Sequence, residues 1–397
     1  MKSNINKTLQ DIKNFIFKNI LYLILSGYLA YMFGFYFFSE YIFPSIDFTN
    51  GYIFANDTPR YIDGAKKIIN LELPQGKGSN FLGYIFFIAF FEYFNLNMTY
   101  VVISQIFLTF LSSLCIYRIS KKFSSHIGGI FCLSLYLFYL PIQMWNFYIL
   151  TETIFICSII FVIYFFIFLE KKYLPILIFM IFFTLICRPH GIILLPSLSL
   201  SILIWLYFNN KIKTFYLCLV GLIIISYPVL ILLNYYLENQ NIISWIVKTG
   251  IIFGYENKNN YLDFKIPVDI NNNISSLILF YFDNMFVFIL SFFKKIWFFF
   301  TRMRPFHSDF HFYYLMTYNL IYFPLSIVGA FKLYKKNNLG ITLMFFLIIF
   351  FAICTGFTYA DYDARFSLYI LPLIFIFASV GFISIKNLII TKFSKFD

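Results

Sequence analysis

Long apolar segments recur along the whole chain, and they limit its fold more than any other feature. A helix that crosses a bilayer needs about 20 mostly apolar residues, because its backbone polar groups must all be satisfied within the hydrocarbon. Polar breaks separate these segments from one another. The segment at 173–187 is short, which indicates a helix broken near Arg188. The ten segments lie at about 20–39, 98–117, 126–142, 150–169, 173–187, 191–208, 214–235, 312–331, 340–358 and 366–385.

Composition excludes most other classes of protein. Of the 397 residues, 61% are hydrophobic and 12% are charged, whereas a soluble domain is about half apolar and about a quarter charged. This excludes an ordinary soluble enzyme, and it excludes a disordered or nucleic-acid-binding chain despite the net charge of +12. The six cysteines all fall inside or at the edge of apolar segments, so they predict no disulfide framework. We therefore predict one all-α, polytopic membrane domain over residues 1–397.

The distribution of charge predicts the orientation of the chain. Four lysines precede the first segment and no cleavage site follows it, which is typical of a retained signal anchor. With ten alternating spans, the cytoplasmic segments hold 17 of the 30 basic residues but only Asp11, Glu170 and Asp397 of the 18 acidic ones. This asymmetry follows the positive-inside rule. It predicts that both termini are cytoplasmic and that the long polar loops face outwards.

Three stretches break the simple pattern, and all three fall on the outer side. Two of them lie in the long first outer loop, at 40–97. The first is its polar part, from Glu40 to about Ser79, and the second is its apolar part at 80–94, which is too short to span. We expect that part to be a helix that lies at the outer face or re-enters it. The loop at 236–311 begins polar and ends in an aromatic and basic run. If 277–300 spanned, the basic cluster at 332–336 would lie outside, so we predict an interfacial helix there, with a span as the alternative.

The first outer loop contains the strongest candidate for a catalytic carboxylate. Asp57, Tyr61 and Ala65 are four residues apart, so they share one face of a helix that begins here. A carboxylate held at the membrane surface can act as the general base for an acceptor hydroxyl. The alternative is that Asp57 only caps the helix, with Pro59 in the first turn. Asp63 faces elsewhere and is a weaker candidate.

Two further candidates border apolar segments. Glu152 lies at the outer mouth of a span, where a carboxylate is costly unless it has a partner or lines a wet cavity. The alternative is a helix-start residue that is exposed to headgroups. Arg188 opens the sequence Arg188-Pro189-His190-Gly191, in which the proline breaks the helix. A guanidinium in that position can bind a phosphate oxygen bidentately.

Arg365 precedes the last span on the outer side and is a second candidate for binding an anionic headgroup. The alternative is that it snorkels or pairs with Asp361 or Asp363. A His-x-Asp-x-His sequence at 307–311 lacks a third strong ligand nearby, so a divalent metal is not indicated, although the sequence leaves one open. The glycines at 76–78 form no phosphate-binding loop, because no strand precedes them.

Taken in order, these features resemble the GT-C superfamily of membrane glycosyltransferases, in particular the bacterial aminoarabinose transferase and the protein O-mannosyltransferases. The resemblance covers about residues 20–390. The chain departs from the family pattern at Thr58, where a second acid often stands, and at Glu152, where the acid is often Asp. The motifs that resemble the family are the Asp57, Tyr61 and Ala65 helix, the half-length segment Phe81–Phe94, Leu150-Thr151-Glu152, Arg188-Pro189-His190-Gly191-Ile192 and Asp363-Ala364-Arg365-Phe366.

The resemblance implies an inverting transfer of a sugar from a polyprenyl-phosphate donor to an acceptor hydroxyl at the outer face. The acceptor is then a glycan, a glycolipid or a protein, and the other partners are membrane lipids but no nucleic acid. Two alternatives are a flippase for lipid-linked oligosaccharides, which predicts two related halves, and a polymerase or ligase of surface polysaccharide. The resemblance implies Asp57 and Glu152 as catalytic residues and Tyr61, Arg60, Arg188, His190 and Arg365 as substrate-binding residues.

The charge asymmetry makes a prediction that reporter fusions can test. Fusions after Lys122, Lys172, Lys213 and Lys336 should all report a cytoplasmic location, because each follows a basic segment on the predicted inner side. A fusion placed after Asp63, in the first outer loop, is the control and should report the opposite side. An external location at Lys336 would mean that 277–300 crosses the bilayer.

Overall fold

The computed structural model of the chain describes Phe15 and residues 19–35, 52–239, 273–303, 308–336, 338–357 and 365–393. These residues are mostly α-helical, with several short 3₁₀ helices, and their β-type contact is an isolated parallel bridge between Ile53 and Tyr148. The helices are α1 Asn19–Phe35, α2 Thr58–Ile69, α3 Leu82–Tyr93, α4 Thr99–Phe123, α5 His126–Phe138, α6 Leu140–Gln143, α7 Glu152–Ile167, α8 Leu174–Cys187, α9 Leu194–Phe208, α10 Ile212–Asn239, α11 Ile274–Asp283, α12 Met285–Thr301, α13 Asp309–Tyr334, α14 Leu339–Phe357, α15 Arg365–Leu368 and α16 Leu371–Phe393.

Several of these helices have the length and composition of membrane spans. Two further pairs of helices, α5 with the 140–147 segment and α11 with α12, pass the same test together but are bent by 57° and 96°. The described residues therefore contain five candidate spans, or up to seven with the bent pairs, and the chain is an all-α polytopic membrane protein. The five are Thr99–Phe123, Pro189–Phe208, Asp309–Tyr334, Leu339–Phe357 and Leu371–Thr391.

Within the described residues, each predicted apolar segment is helical over most of its length, but not all of these helices are long. α1, α7 and the apolar first half of α10 are too short to qualify alone, and α8 has 14 residues. A helix of that length extends about 21 Å, against a hydrocarbon thickness of about 30 Å. The prediction of ten spans therefore stays a prediction.

The chain divides into two compact units. The first unit contains Met1–Leu194, Tyr322–Lys336 and Leu371–Asp397, and the second contains Leu195–Ile321 and Asn337–Ile370. In the first unit α4, α5, α7 and α16 pack together. Most of α7 is buried on every side, as a helix that is apolar all round should be.

The second unit contains the stretch that was predicted as a single interfacial helix over 277–300. It is two helices, α11 and α12, which meet at a bend of 96°. The helix breaks at Asn284, whose side-chain amide donates to the carbonyl of Phe280 at 3.0 Å and so competes with the backbone. α12 packs against α14, where Lys295 donates to the carbonyl of Gly356 at 3.2 Å.

Glycines allow the backbones of α13 and α16 to touch in the first unit. A Cβ built on Gly329 would overlap the carbonyl oxygen of Phe377, and one built on Gly381 would overlap that of Leu325. Such close approach is typical of membrane helices, whose association depends on packing rather than on the hydrophobic effect.

Gly329→Ala should therefore destabilise the protein, because the new methyl group would force the two backbones apart. Overpacking of this kind typically costs about 1–3 kcal/mol. Thermal unfolding in detergent measures the effect. Gly221→Ala in α10 is the matched control, since nothing lies within 4 Å of its Cβ position; an equal melting temperature for the two variants would contradict the contact.

Candidate functional site

The first candidate acid begins helix α2. Asp57 occupies the N-cap position and Pro59 lies in the first turn, but the Asp57 side chain makes no capping hydrogen bond. Thr58 Oγ1 instead accepts a hydrogen bond from the backbone amide of Ala55 at 3.0 Å. The Asp57 carboxylate pairs with Arg60 Nη2 at 2.9 Å, and both side chains remain partly exposed. Asp57 therefore pairs with Arg60 and does not cap the helix with its side chain, in contrast to the alternative predicted from the sequence.

One face of α2 packs against α3, and this face presents Tyr61. Tyr61 and Ala65 are buried, as their four-residue spacing predicts, whereas Asp63 is exposed. The Tyr61 ring makes edge contacts with the rings of Phe81 and Tyr84, with centroid distances of 5.5 and 5.2 Å. The ring is therefore fixed in direction by two aromatic neighbours.

The start of α2 is joined to the backbone that leads into α7. The amide of Ile53 donates to the carbonyl of Phe147 at 2.9 Å, and the hydroxyl of Thr58 donates to the carbonyl of Ile149 at 3.4 Å. These bonds connect parts of the chain that lie about 90 residues apart in the sequence. They bring the Asp57 end of α2 next to the segment that ends at Glu152.

Glu152 is the first residue of α7 and forms a buried ion pair. Its carboxylate lies 2.8 Å from Arg188 Nη1, and the two residues are 1% and 8% exposed. Arg188 Nη1 also donates to Thr151 Oγ1 at 2.6 Å. Glu152 at the first turn of a helix is favoured by the helix dipole, and the guanidinium compensates the rest of the buried charge.

Two glycines allow the chain to approach closely on either side of Arg188. A Cβ on Gly83, at the start of α3, would lie 2.9 Å from the backbone of Cys187. Gly191 lies in the 3₁₀ turn Pro189–Ile193, and a Cβ there would overlap the carbonyl of Thr184 in α8. These contacts place Arg188 where α3, α7 and α8 meet.

The charges of both acidic residues, Asp57 and Glu152, act on the hydroxyl of Tyr61. Burial raises the pKa of the Tyr61 hydroxyl well above its usual range, and the negative charges of Glu152 and Asp57 raise it further. Arg188 and Arg60 oppose this effect on the pKa. Tyr61 therefore stays a neutral hydroxyl at physiological pH, within reach of the field of all four charges. We call these five residues the acid–arginine cluster.

The remaining predicted residues lie at different places in the chain. His190 is half-buried in the turn after Arg188, so it accompanies the cluster. Arg365 begins α15 in the second unit and is half-buried. His307, Asp361 and Asp363 lie outside the described residues. Within the part of the chain that the structure describes, no group of three His, Cys, Asp or Glu residues could hold a metal ion.

Two polar residues that support the cluster, Gln105 and Thr151, are not among the residues predicted from the sequence. Gln105 lies in the middle of an apolar segment yet is completely buried, and it binds backbone next to the cluster. Thr151 was not recognised as a partner of Arg188. A polar side chain within a membrane segment is a signal of function by default. Gln105 could have been found by that signal, because it interrupts the segment at 98–117.

The buried ion pair predicts a non-additive effect on stability. Arg188→Met alone leaves the Glu152 carboxylate buried without its guanidinium, which typically costs about 3–5 kcal/mol. The double variant Glu152→Gln/Arg188→Met removes both charges and should be less destabilised than the single one. Arg60→Met breaks a partly exposed pair and is the control, with a cost of about 0–1 kcal/mol. Thermal unfolding in detergent measures all three, and equal melting temperatures for the single and double variants would contradict the pair.

Comparisons with known proteins do not assign the chain to a family. No protein-family model matches the chain, and no curated protein is significantly similar to it in sequence. The functional conclusion therefore depends on the residues of this chain and on their arrangement.

Proposed function

We propose that this protein is an inverting glycosyltransferase of the GT-C type. It would move a sugar from a polyprenyl-phosphate donor to an acceptor hydroxyl on the outer face of the membrane, in the assembly of cell-surface glycan or glycolipid. The observation that supports this most is the acid–arginine cluster itself. Two carboxylates, each paired with an arginine, lie on helices that are distant in the sequence, and the charges of both pairs act on the buried hydroxyl of Tyr61.

Asp57 is the proposed general base. Its side chain is 39% exposed, so an acceptor hydroxyl can approach it, whereas the Glu152 carboxylate is already paired with Arg188. In the proposed step the acceptor oxygen attacks the anomeric carbon as its proton passes to Asp57. The bond from the anomeric carbon to the phosphate oxygen breaks, and the electron pair leaves with the phosphate. A single displacement of this kind inverts the anomeric configuration.

Arg188 is the proposed ligand of the leaving phosphate. Thr151 and Glu152 both contact its Nη1 atom, so the plane of the guanidinium is set before any substrate binds. A preorganised cation stabilises charge that develops in the transition state without further reorganisation. The leaving polyprenyl phosphate is already a stable anion, so the mechanism needs no strong general acid. Arg60, Tyr61 and His190 complete the substrate-binding set proposed in the first unit, and Arg365, in the second unit, is proposed separately to bind an anionic headgroup.

The proposed topology has ten spans, two cytoplasmic termini and the cluster at the outer surface of a bacterial inner membrane. The predicted asymmetry of basic residues supports this orientation. It also suits the substrate, since a lipid-linked sugar can be presented from the outer leaflet. Nucleotide sugars would not reach a cluster on that side.

Asp57→Asn is the sharpest test of the mechanism. The variant cannot take a proton, so transfer should fall at least about a hundredfold. Its stability should change by less than about 0.5 kcal/mol, because Asp57 makes no capping hydrogen bond and sits in a partly exposed pair. The assay follows labelled sugar from a panel of undecaprenyl-phosphate-linked hexoses and pentoses into an envelope fraction, with purified protein in lipid vesicles.

Asp63→Asn is the matched control, because it removes an exposed carboxylate from the same helix and should stay near wild-type activity. Normal turnover by Asp57→Asn together with an inactive Glu152→Gln would transfer the role of base to Glu152. Absence of transfer by the wild-type protein from every donor of the panel would contradict the proposed function.

A further inference from the structure

The chain leaves helical geometry inside the bundle, between α5 and α7. Tyr139 adopts an extended conformation and Pro141 follows, so the helix cannot continue. The segment from Tyr139 to Thr151 then runs through a short helix and a 3₁₀ turn into extended backbone, and Tyr139, Ile149 and Thr151 are completely buried. Non-helical backbone at such depth needs hydrogen-bond donors from elsewhere in the protein.

Gln105 provides two of these hydrogen bonds. Its Nε2 donates to the carbonyls of Asn146 and Tyr148, at 2.8 and 2.9 Å, which uses both hydrogens of the amide. Its Oε1 accepts a hydrogen bond from the hydroxyl of Tyr84 at 3.2 Å. Gln105 is 0% exposed, so these bonds do not compete with water.

Other buried amides extend the network away from the cluster. Thr109 donates to Asn146 Oδ1 at 2.7 Å, and Asn146 Nδ2 donates to Gln143 Oε1 at 3.0 Å. Gln143 Nε2 in turn donates to the carbonyl of Tyr136, at the end of α5, and its Oε1 accepts from Tyr28. These bonds hold the bend, but they do not bind the backbone at 148, which leads to Glu152.

The hydrogen bonds of Gln105 connect it to two different parts of the acid–arginine cluster. Through Tyr148 the amide holds the backbone four residues before Glu152, and that residue pairs with Arg188. Through Tyr84 it holds the ring against which Tyr61 packs. Gln105 of α4 is thus connected to Tyr61 through Tyr84, and to the Glu152–Arg188 pair through Tyr148.

We infer that Gln105 is a positioning residue, which keeps Tyr61 in register with the Glu152 and Arg188 pair. The expected effect of Gln105 on sugar transfer rests on the proposed function. Its effect on the position of Tyr61 rests on the hydrogen bonds alone. Gln105 does not touch the substrate. Gln105 sets the distance between a hydroxyl on α2 and the charges at the start of α7 and just after α8. A change of about 1 Å in such a distance can cost about a hundredfold in rate.

The test combines a spectroscopic measurement with kinetics, in the full-length protein in lipid nanodiscs. 3-Fluorotyrosine at position 61 reports by ¹⁹F NMR the surroundings of that ring. Gln105→Met keeps the volume of the side chain but removes its three hydrogen bonds. We expect it to shift or split the ¹⁹F resonance. In protein without the label we expect kcat to fall about 10- to 100-fold, with KM changed less than about twofold.

Two more variants keep the test decisive. Tyr84→Phe removes only the hydroxyl that binds Gln105, so it should fold even if Gln105→Met does not, and it should move the same resonance. Thr109→Val is the matched control, because it lies one turn further along α4 and loses a hydrogen bond of the same network to the Asn146 side chain. It should lower the melting temperature while leaving the resonance and kcat near wild type.

A wild-type resonance in both Gln105→Met and Tyr84→Phe would overturn the inference. Equal losses of kcat in Gln105→Met and Thr109→Val would overturn it too, because the network would then act only through stability. If wild-type protein transfers no sugar, the proposed function fails, and the ¹⁹F measurement alone decides whether Gln105 holds Tyr61 in place.

Discussion

The buried ion pair between Glu152 and Arg188 is the interaction on which the organisation of the site depends. Removing two charges from water is expensive, and their attraction offsets the cost only with good geometry and further hydrogen bonds. Thr151 provides one of these, and the helix start at Glu152 adds a favourable dipole. The surrounding features follow from this need, since glycines at 83 and 191 allow the backbone to close around the arginine.

A second constraint is the unwound segment that precedes Glu152. The helical path breaks at Tyr139, and the carbonyls of Asn146, Phe147 and Tyr148 further along the segment need other donors. Gln105 and the amide of Ile53 satisfy them. Gln105 lies in α4, and Ile53 lies in the first outer loop just before α2. The bonds that satisfy this backbone therefore also hold the start of α2 beside the segment that leads to Glu152.

The sequence predicted the local structure well where a local quantity decides it. The apolar segments became helices, and the four-residue spacing of Asp57, Tyr61 and Ala65 correctly indicated a helix with two buried positions. It was less successful where one side chain decides the outcome. The predicted helix over 277–300 is divided into two at Asn284, where the side-chain amide binds the carbonyl of Phe280. Hydropathy averaged over a segment cannot detect such a break.

The sequence by itself determined that this is a helical membrane protein, and which residues form most of its helices, because transfer into lipid and helical periodicity depend on neighbouring residues. It also selected the two carboxylates and the arginine near the proline. Only the tertiary structure decided that Glu152 pairs with Arg188, and that Gln105 links Tyr84 to the backbone before Glu152. These three contacts all join residues more than 20 positions apart, and such contacts depend on how helices pack, which no short sequence pattern encodes.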